Sequence, residues 1–96
     1  MEVKKHLDLL GHKCVDRVTG LSGVITSVTF DLYGCIQALV SPGIKEGEVK
    51  PAESWWLDVT RLDITSDAPV MVQPDFELGY VAEGRKGPAD KPAGRF

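Results

Sequence analysis

The sequence predicts an all-β protein, a small SH3-like antiparallel barrel of about five strands with an extended C-terminal arm. Three observations carry that expectation. Short runs of alternating apolar and polar residues recur as far as Ile64, glycine-containing turns separate them, and no long stretch repeats at helical spacing. With 96 residues and 43% hydrophobic content, the chain can bury one modest core and no second. The organisation that follows is a barrel domain over 1–64 with a short lead-in, and a Pro/Gly-rich arm over 65–96.

Val3, Leu7 and Leu10 fall at helical spacing and Gly11 would end a short helix, although an irregular lead-in fits almost as well. From His12 to Thr19 the chain becomes β-branched, and Gly20-Leu21-Ser22-Gly23 reads as a turn. Val24 to Leu32 is the clearest strand. Val24, Thr26, Val28, Phe30 and Leu32 share the face expected in the core, opposite Ile25, Ser27, Thr29 and Asp31. After a reversal at Tyr33-Gly34, Cys35 to Ser41 carries Ile36, Ala38 and Val40 on one face and Leu39 on the other, which predicts a central or covered strand. Pro42 to Pro51 reads as a loop, Glu53 to Thr60 as a strand, and Leu62-Asp63-Ile64 as a short last strand beyond Arg61. Past Ser66, Pro69 and Pro74 predict an extended arm that packs on the barrel or on another subunit. Leu78, Tyr80 and Ala82 alternate within Glu77–Ala82 and would suit an added strand.

Charge divides the chain unevenly. Residues 1–83 hold seven basic and thirteen acidic side chains, 7 − 13 = −6, whereas 84–96 hold Arg85, Lys86, Lys91 and Arg95 against Asp90, 4 − 1 = +3. A basic strip on an acidic globule suits an anionic ligand or acidic neighbour, and equally a solubilising chain end. The N-terminus lacks the apolar stretch of a secretory signal, and no run approaches the ~18 apolar residues of a membrane helix, so a cytoplasmic protein with Cys14 and Cys35 as free thiols is expected.

Catalytic and metal chemistry find little support. His12-x-Cys14 with Cys35 and His6 lacks the paired-cysteine spacing of common zinc sites. The only histidines, His6 and His12, stand in no nucleophile motif, and no glycine-rich phosphate loop precedes a helix. Asp8, Asp16, Glu46, Glu48 and Glu53 read as solvated or turn carboxylates. Trp55, in phase with Leu57 and Val59, is expected in the core. Trp56, in phase with Ser54 and Asp58, lies on the polar face, where it would stack on a purine, plug a subunit contact, or be covered by the arm.

Two resemblances add to this reading. Residues Gly11 to Ile25 resemble the KOW element of nucleic-acid-binding barrels, though Lys13 and Arg17 are the only cations in that stretch and the acidic globule disfavours phosphate-backbone binding. More specifically, Asp16-Arg17-Val18-Thr19-Gly20-Leu21-Ser22-Gly23, Gly34-Cys35-x-Gln37, Trp56-Leu57-Asp58-x-x-Arg61-Leu62 and Gly87-Pro88-Ala89-Asp90-Lys91-Pro92 are similar to a group of small tailed-phage β-barrel proteins. Phage proteins of this general sort include anti-defence sponges related to Thoeris inhibitors, which hold cyclic ADP-ribose isomers or cyclic oligonucleotides without cleaving them.

What the resemblance implies is a non-enzymatic homo-oligomer in the cytoplasm of an infected bacterial host. It would bind a nucleotide-derived signal and need no cofactor. Trp56 would stack on the base, with Asp58, Arg61, Arg85, Lys86, Gly87 and Arg95 completing the ligand site. The alternatives are a phage protein–protein interaction module without a small-molecule ligand and, last, a KOW-like nucleic-acid binder.

Overall fold

The computed structural model describes residues 3–76. A one-turn helix, α1 (Val3–Leu7), leads through Gly11 into five strands: β1 (Lys13–Asp16), β2 (Ser22–Phe30), β3 (Ile36–Ser41), β4 (Trp55–Asp58) and β5 (Leu62–Ile64). A 3-10 turn, Val59–Arg61, connects the last two. All pairings are antiparallel and the strand order is β4-β3-β2-β1-β5.

The expected barrel is not formed. β4 and β5 are the two edges of an open sheet, and no ladder joins them. The physical reason is local. The 3-10 turn takes the chain from one edge to the other within three residues, and β5 is itself only three residues long. No extended backbone is left at that seam to complete a ladder. All-β character and the count of five strands stand; closure does not.

The core follows from register. Ala38 and Val40 of β3 are fully buried and face Val28 and Ile25 of β2 on one side and Leu57 and Trp55 of β4 on the other. Cys14 and Leu62 extend this layer across β1 and β5, and Leu9, Leu10, Leu21, Val28 and Val59 close around it. The expected β2 core face is corrected by a bulge between Ile25 and Ser27. The extra residue, Thr26, reverses the alternation, so Ile25 points inward before the bulge and Val28 after it. Val24 therefore lies on the outer face and Thr26 is exposed, its hydroxyl 3.2 Å from Ser41 Oγ. Phe30, at the end of the same strand, is exposed.

Residues 65–76 run back along the N-terminal segment. Thr65 N–H donates to the Lys13 carbonyl, Val70 N–H to the Gly11 carbonyl, and Gln73 Nε2 to the carbonyls of Asp8 and Leu10. The Glu77–Ala82 alternation lies outside the described residues.

Candidate functional site

The β4 edge concentrates exposed aromatic surface. Its register with β3 sets Val40 opposite Trp55, Leu39 opposite Trp56, Ala38 opposite Leu57 and Gln37 opposite Asp58. Adjacent strand residues point to opposite faces, so the two indoles flank the strand. Trp56 (43% exposed) stands on the outer face beside Leu39, as its phase with Ser54 and Asp58 predicts. Trp55 does lie in phase with the core, but it is 55% exposed, which corrects its expected burial. It opens β4 at the rim of an open sheet, where no described strand covers it. A row of hydroxyls, Thr26–Ser41–Ser54, continues the outer face beside Trp56, with oxygens 3.2 and 3.1 Å apart.

The two other described residues of the expected ligand site have intramolecular partners. Asp58 caps the 3-10 turn. Its Oδ1 accepts from Thr60 N–H at 2.9 Å and Thr60 Oγ1 at 2.6 Å, and these bonds hold its carboxyl below the usual carboxylate range. Arg61 reaches under the sheet to Asp16, with Nε on Oδ1 at 2.9 Å and Nη2 on Oδ2 at 2.6 Å. This two-pronged geometry fixes the guanidinium against one carboxylate. Arg85, Lys86, Gly87 and Arg95 lie outside the described residues.

Asp16 is the residue that sequence reasoning misplaced. It was expected at a solvated turn, yet it is fully buried at the end of β1, on the core face shared with Cys14 and opposite Leu62. Besides Arg61, it accepts from Val18 N–H, Thr19 N–H and Thr19 Oγ1. The Arg61 bonds, more than the turn donors, hold its carboxyl far below the normal range and raise the arginine's own pKa in return. One carboxylate thus organises the β1–β2 turn and ties it to the β4–β5 corner. A signal was present: an Asp three residues before Thr-Gly is the pattern of a side chain that bonds the backbone ahead of it.

Elsewhere the surface offers less. A groove of about 260 Å³ between α1 and residues 73–76 is lined by Lys4, Leu7, Asp8, Gln73, Pro74 and Phe76, and takes in none of the expected ligand residues. Lys4 and Asp8 form an exposed ion pair there at 3.1 Å, and Asp75 also lines the groove. Cys14 is buried and Cys35 exposed, both as free thiols. Burial pushes the Cys14 thiol up, and the Asp31 carboxylate does the same to Cys35. Among the described residues, no group of three or more His, Cys, Asp or Glu side chains could hold a metal ion. No described helix is long and apolar enough to cross a membrane.

No protein-family model matches the chain, and neither does any curated protein or solved structure. The resemblance to tailed-phage barrel proteins therefore falls, for two reasons: no family match supports it, and the sheet is open. The motifs that suggested it have a structural account in this chain. Asp16 to Gly20 builds the Asp16-centred turn, and Asp58 to Leu62 supplies the cap, the clamp and the first residue of β5.

Proposed function

We propose that this chain is a non-enzymatic binding module that recognises a protein partner by strand addition along the β4 edge, with Trp55 and Trp56 as anchors. One observation carries the reading: neighbouring tryptophans, one on each face, stand 55% and 43% exposed on an edge strand. An edge strand presents backbone donors and acceptors to an incoming chain, while large rigid aromatics supply apolar area at little entropic cost. The one charged group in β4, Asp58, stands at the end of the strand, held in place by Thr60, and leaves the two indoles clear.

Site-specific photocrosslinking in cells that express the protein tests this. A photoreactive residue at Ser54 should capture one defined polypeptide, and the same residue at Asp67, away from β4, should not. Equal capture at both positions, or none at Ser54, would refute the strand-addition reading.

A second reading has its own support. Trp56 stands on a polar face, between the hydroxyl row and the Gln37–Asp58 pair, which suits a planar heteroaromatic ligand such as a nucleotide-derived small molecule. Arg61 is not free to clamp its phosphates, because both prongs are on Asp16. Incubating the protein with cyclic di- and trinucleotides and ADP-ribose isomers, then washing, denaturing and weighing what is released, decides the matter. An intact ligand recovered in proportion to protein supports this second reading, and an empty release favours the protein partner.

A further inference from the structure

The sequence of the β4 edge is complementary to itself in one register, and from that we infer that its partner is a second copy of this chain. The inference rests on the strand-addition reading above and names the occupant of the same edge.

Two copies joined edge to edge around a two-fold axis must pair antiparallel, and residues set opposite each other must lie on the same face. Side chains alternate with period two, so only registers in which paired residue numbers sum to an even value keep both faces continuous. Centring the axis on Trp56 sets Trp56 against its own copy, Trp55 against Leu57 of the second copy, and Ser54 against Asp58 of the second copy. Each pairing answers a feature of the isolated chain. Trp55, half-exposed at the rim of the core, gains an apolar neighbour on its own face, because Leu57 belongs to the buried layer. The Trp56 rings meet on the outer face next to Leu39. Ser54 gives its hydroxyl to a carboxylate, and no like charges face each other.

Neighbouring registers fare worse. Centring on Leu57 sets Trp56 against Asp58, and centring on Trp55 sets Trp56 against Ser54. Both leave an indole facing a polar side chain and lose the Trp56 pair. The preferred register would join two five-stranded sheets into one of ten strands. The opposite edge is less receptive: β5 has three residues, its central Asp63 is exposed, and Arg17 covers its entrance with Nε on that carboxylate at 3.2 Å and Nη2 on the Thr60 carbonyl at 2.6 Å.

The contact is small. Partly exposed indoles offer about 100–150 Å² each, well under the ~800 Å² per partner of a standard stable interface. The dimer is therefore expected to dissociate on dilution through the micromolar range, roughly 1 to 100 μM.

Sedimentation velocity of the full chain across that range tests the inference, together with three variants. Wild-type protein should move from monomer to dimer as concentration rises. Trp56→Lys, which places like charges face to face on the axis, should remain monomeric with an unchanged far-ultraviolet spectrum. Ser54→Lys, which faces Asp58 of the second copy, should dimerise at least as well as wild type. In a Cys35→Ser background, Trp56→Cys should form a disulfide-linked dimer under mild oxidation. A wild-type monomer at the top concentration overturns the inference, as does a dimer that Trp56→Lys leaves intact. If the chain is monomeric while Ser54 still captures another polypeptide, the second copy is refuted and strand addition survives; if it is monomeric and Ser54 captures nothing, both fail. A monomer whose outward-pointing β4 amides, those not bonded to β3, are protected from exchange would place another segment of the same chain on the edge, and would also overturn it.

Discussion

Substituting Gly23 by alanine tests the sheet at its most crowded point. Gly23, the second residue of β2, lies on the core face opposite Cys14 of β1, close against the end of β3. A Cβ built there would lie 2.4 Å from the Ser41 carbonyl oxygen, 2.7 Å from its carbon and 2.9 Å from Pro42 Cα. Real Cβ contacts essentially never fall below 3.0 Å, so at least 3.0 − 2.4 = 0.6 Å of movement is needed. All three obstacles are backbone atoms, and no side-chain rotamer can relieve them. The strand ends must part, straining the Val24–Ser41 pair. Overpacking costs about 1–3 kcal/mol, and a backbone obstacle puts this case near the upper end. Alanine returns about 0.4–1 kcal/mol by stiffening the unfolded chain. The net loss expected is about 2 kcal/mol, or a fall in Tm of roughly 8–16 °C for a domain of this size.

Gly20→Ala provides the contrast. Its Cβ would meet nothing within 4 Å, but its φ of +82° belongs to the left-handed region. Its cost is then backbone strain of about 1 kcal/mol. Urea unfolding followed by circular dichroism, at one low protein concentration so that self-association does not contribute, measures both. A Gly23→Ala midpoint equal to wild type, or a smaller loss than Gly20→Ala gives, would refute the close approach of β2 and β3.

Three further outcomes follow from the same contacts. Arg61→Ala should lower Tm several-fold more than Arg17→Ala, because it strips a fully buried carboxylate of both arginine bonds, whereas Arg17 pairs with an exposed one; thermal unfolding of the two variants decides it. Asp16 has its folded pKa depressed below the unfolded value, so its contribution is complete above the ordinary carboxylate range of ~4 and is lost as pH falls below it. Tm measured from pH 7 to pH 2 should accordingly fall less steeply for Asp16→Asn than for wild type, with a residual slope from Asp58, which is shifted the same way. Iodoacetamide should label Cys35 in the folded protein and Cys14 only in denaturant, with Cys35 reacting more slowly at pH 7 than an unperturbed thiol, as mass spectrometry over time would show.

Much of this architecture was legible where one physical rule acted alone. β3 pairs on both edges, and its Ile36–Ala38–Val40 stripe reads directly as the inner face of a central strand. The N-terminal helix, the Tyr33–Gly34 reversal and the Leu62–Ile64 strand likewise emerge from local pattern. Alternation fails in β2 because a bulge leaves no mark in a run of β-branched residues; both Val24 and Ile25 suit a core, and only pairing with β3 chooses between them. Trp55 shows the same limit differently. Its phase is right, but burial depends on what lies across the sheet edge, which phase does not encode. Asp16 was hidden because a charged residue in a turn looks solvated until its partner is known, and Arg61 lies 45 residues away in the chain. Arg61 and Asp58 read as free ligand groups for the same reason.

The treatment of the two sheet edges carries the functional argument furthest. An open sheet exposes unpaired backbone at both ends, and natural proteins commonly blunt such edges with short strands, charge or irregular geometry. β5 has these protections: three residues, an exposed aspartate and an arginine bonded across its entrance. β4 has fewer. It carries three large apolar residues in four positions, and its only charge is turned into the 3-10 cap. If β4 were merely tolerated as an edge, a polar residue at 56 would serve better, since the outer face beside it is polar apart from Leu39 and Trp56 is not part of the buried core. A tryptophan there makes sense if it meets a partner. Replacing Trp56 with threonine should therefore leave the chain folded, at a cost of about 1–2 kcal/mol for the part of the indole covered beside Leu39, while abolishing whatever β4 binds. A Trp56→Thr chain that fails to fold instead would make this tryptophan part of the fold, and would remove the anchor from the binding surface.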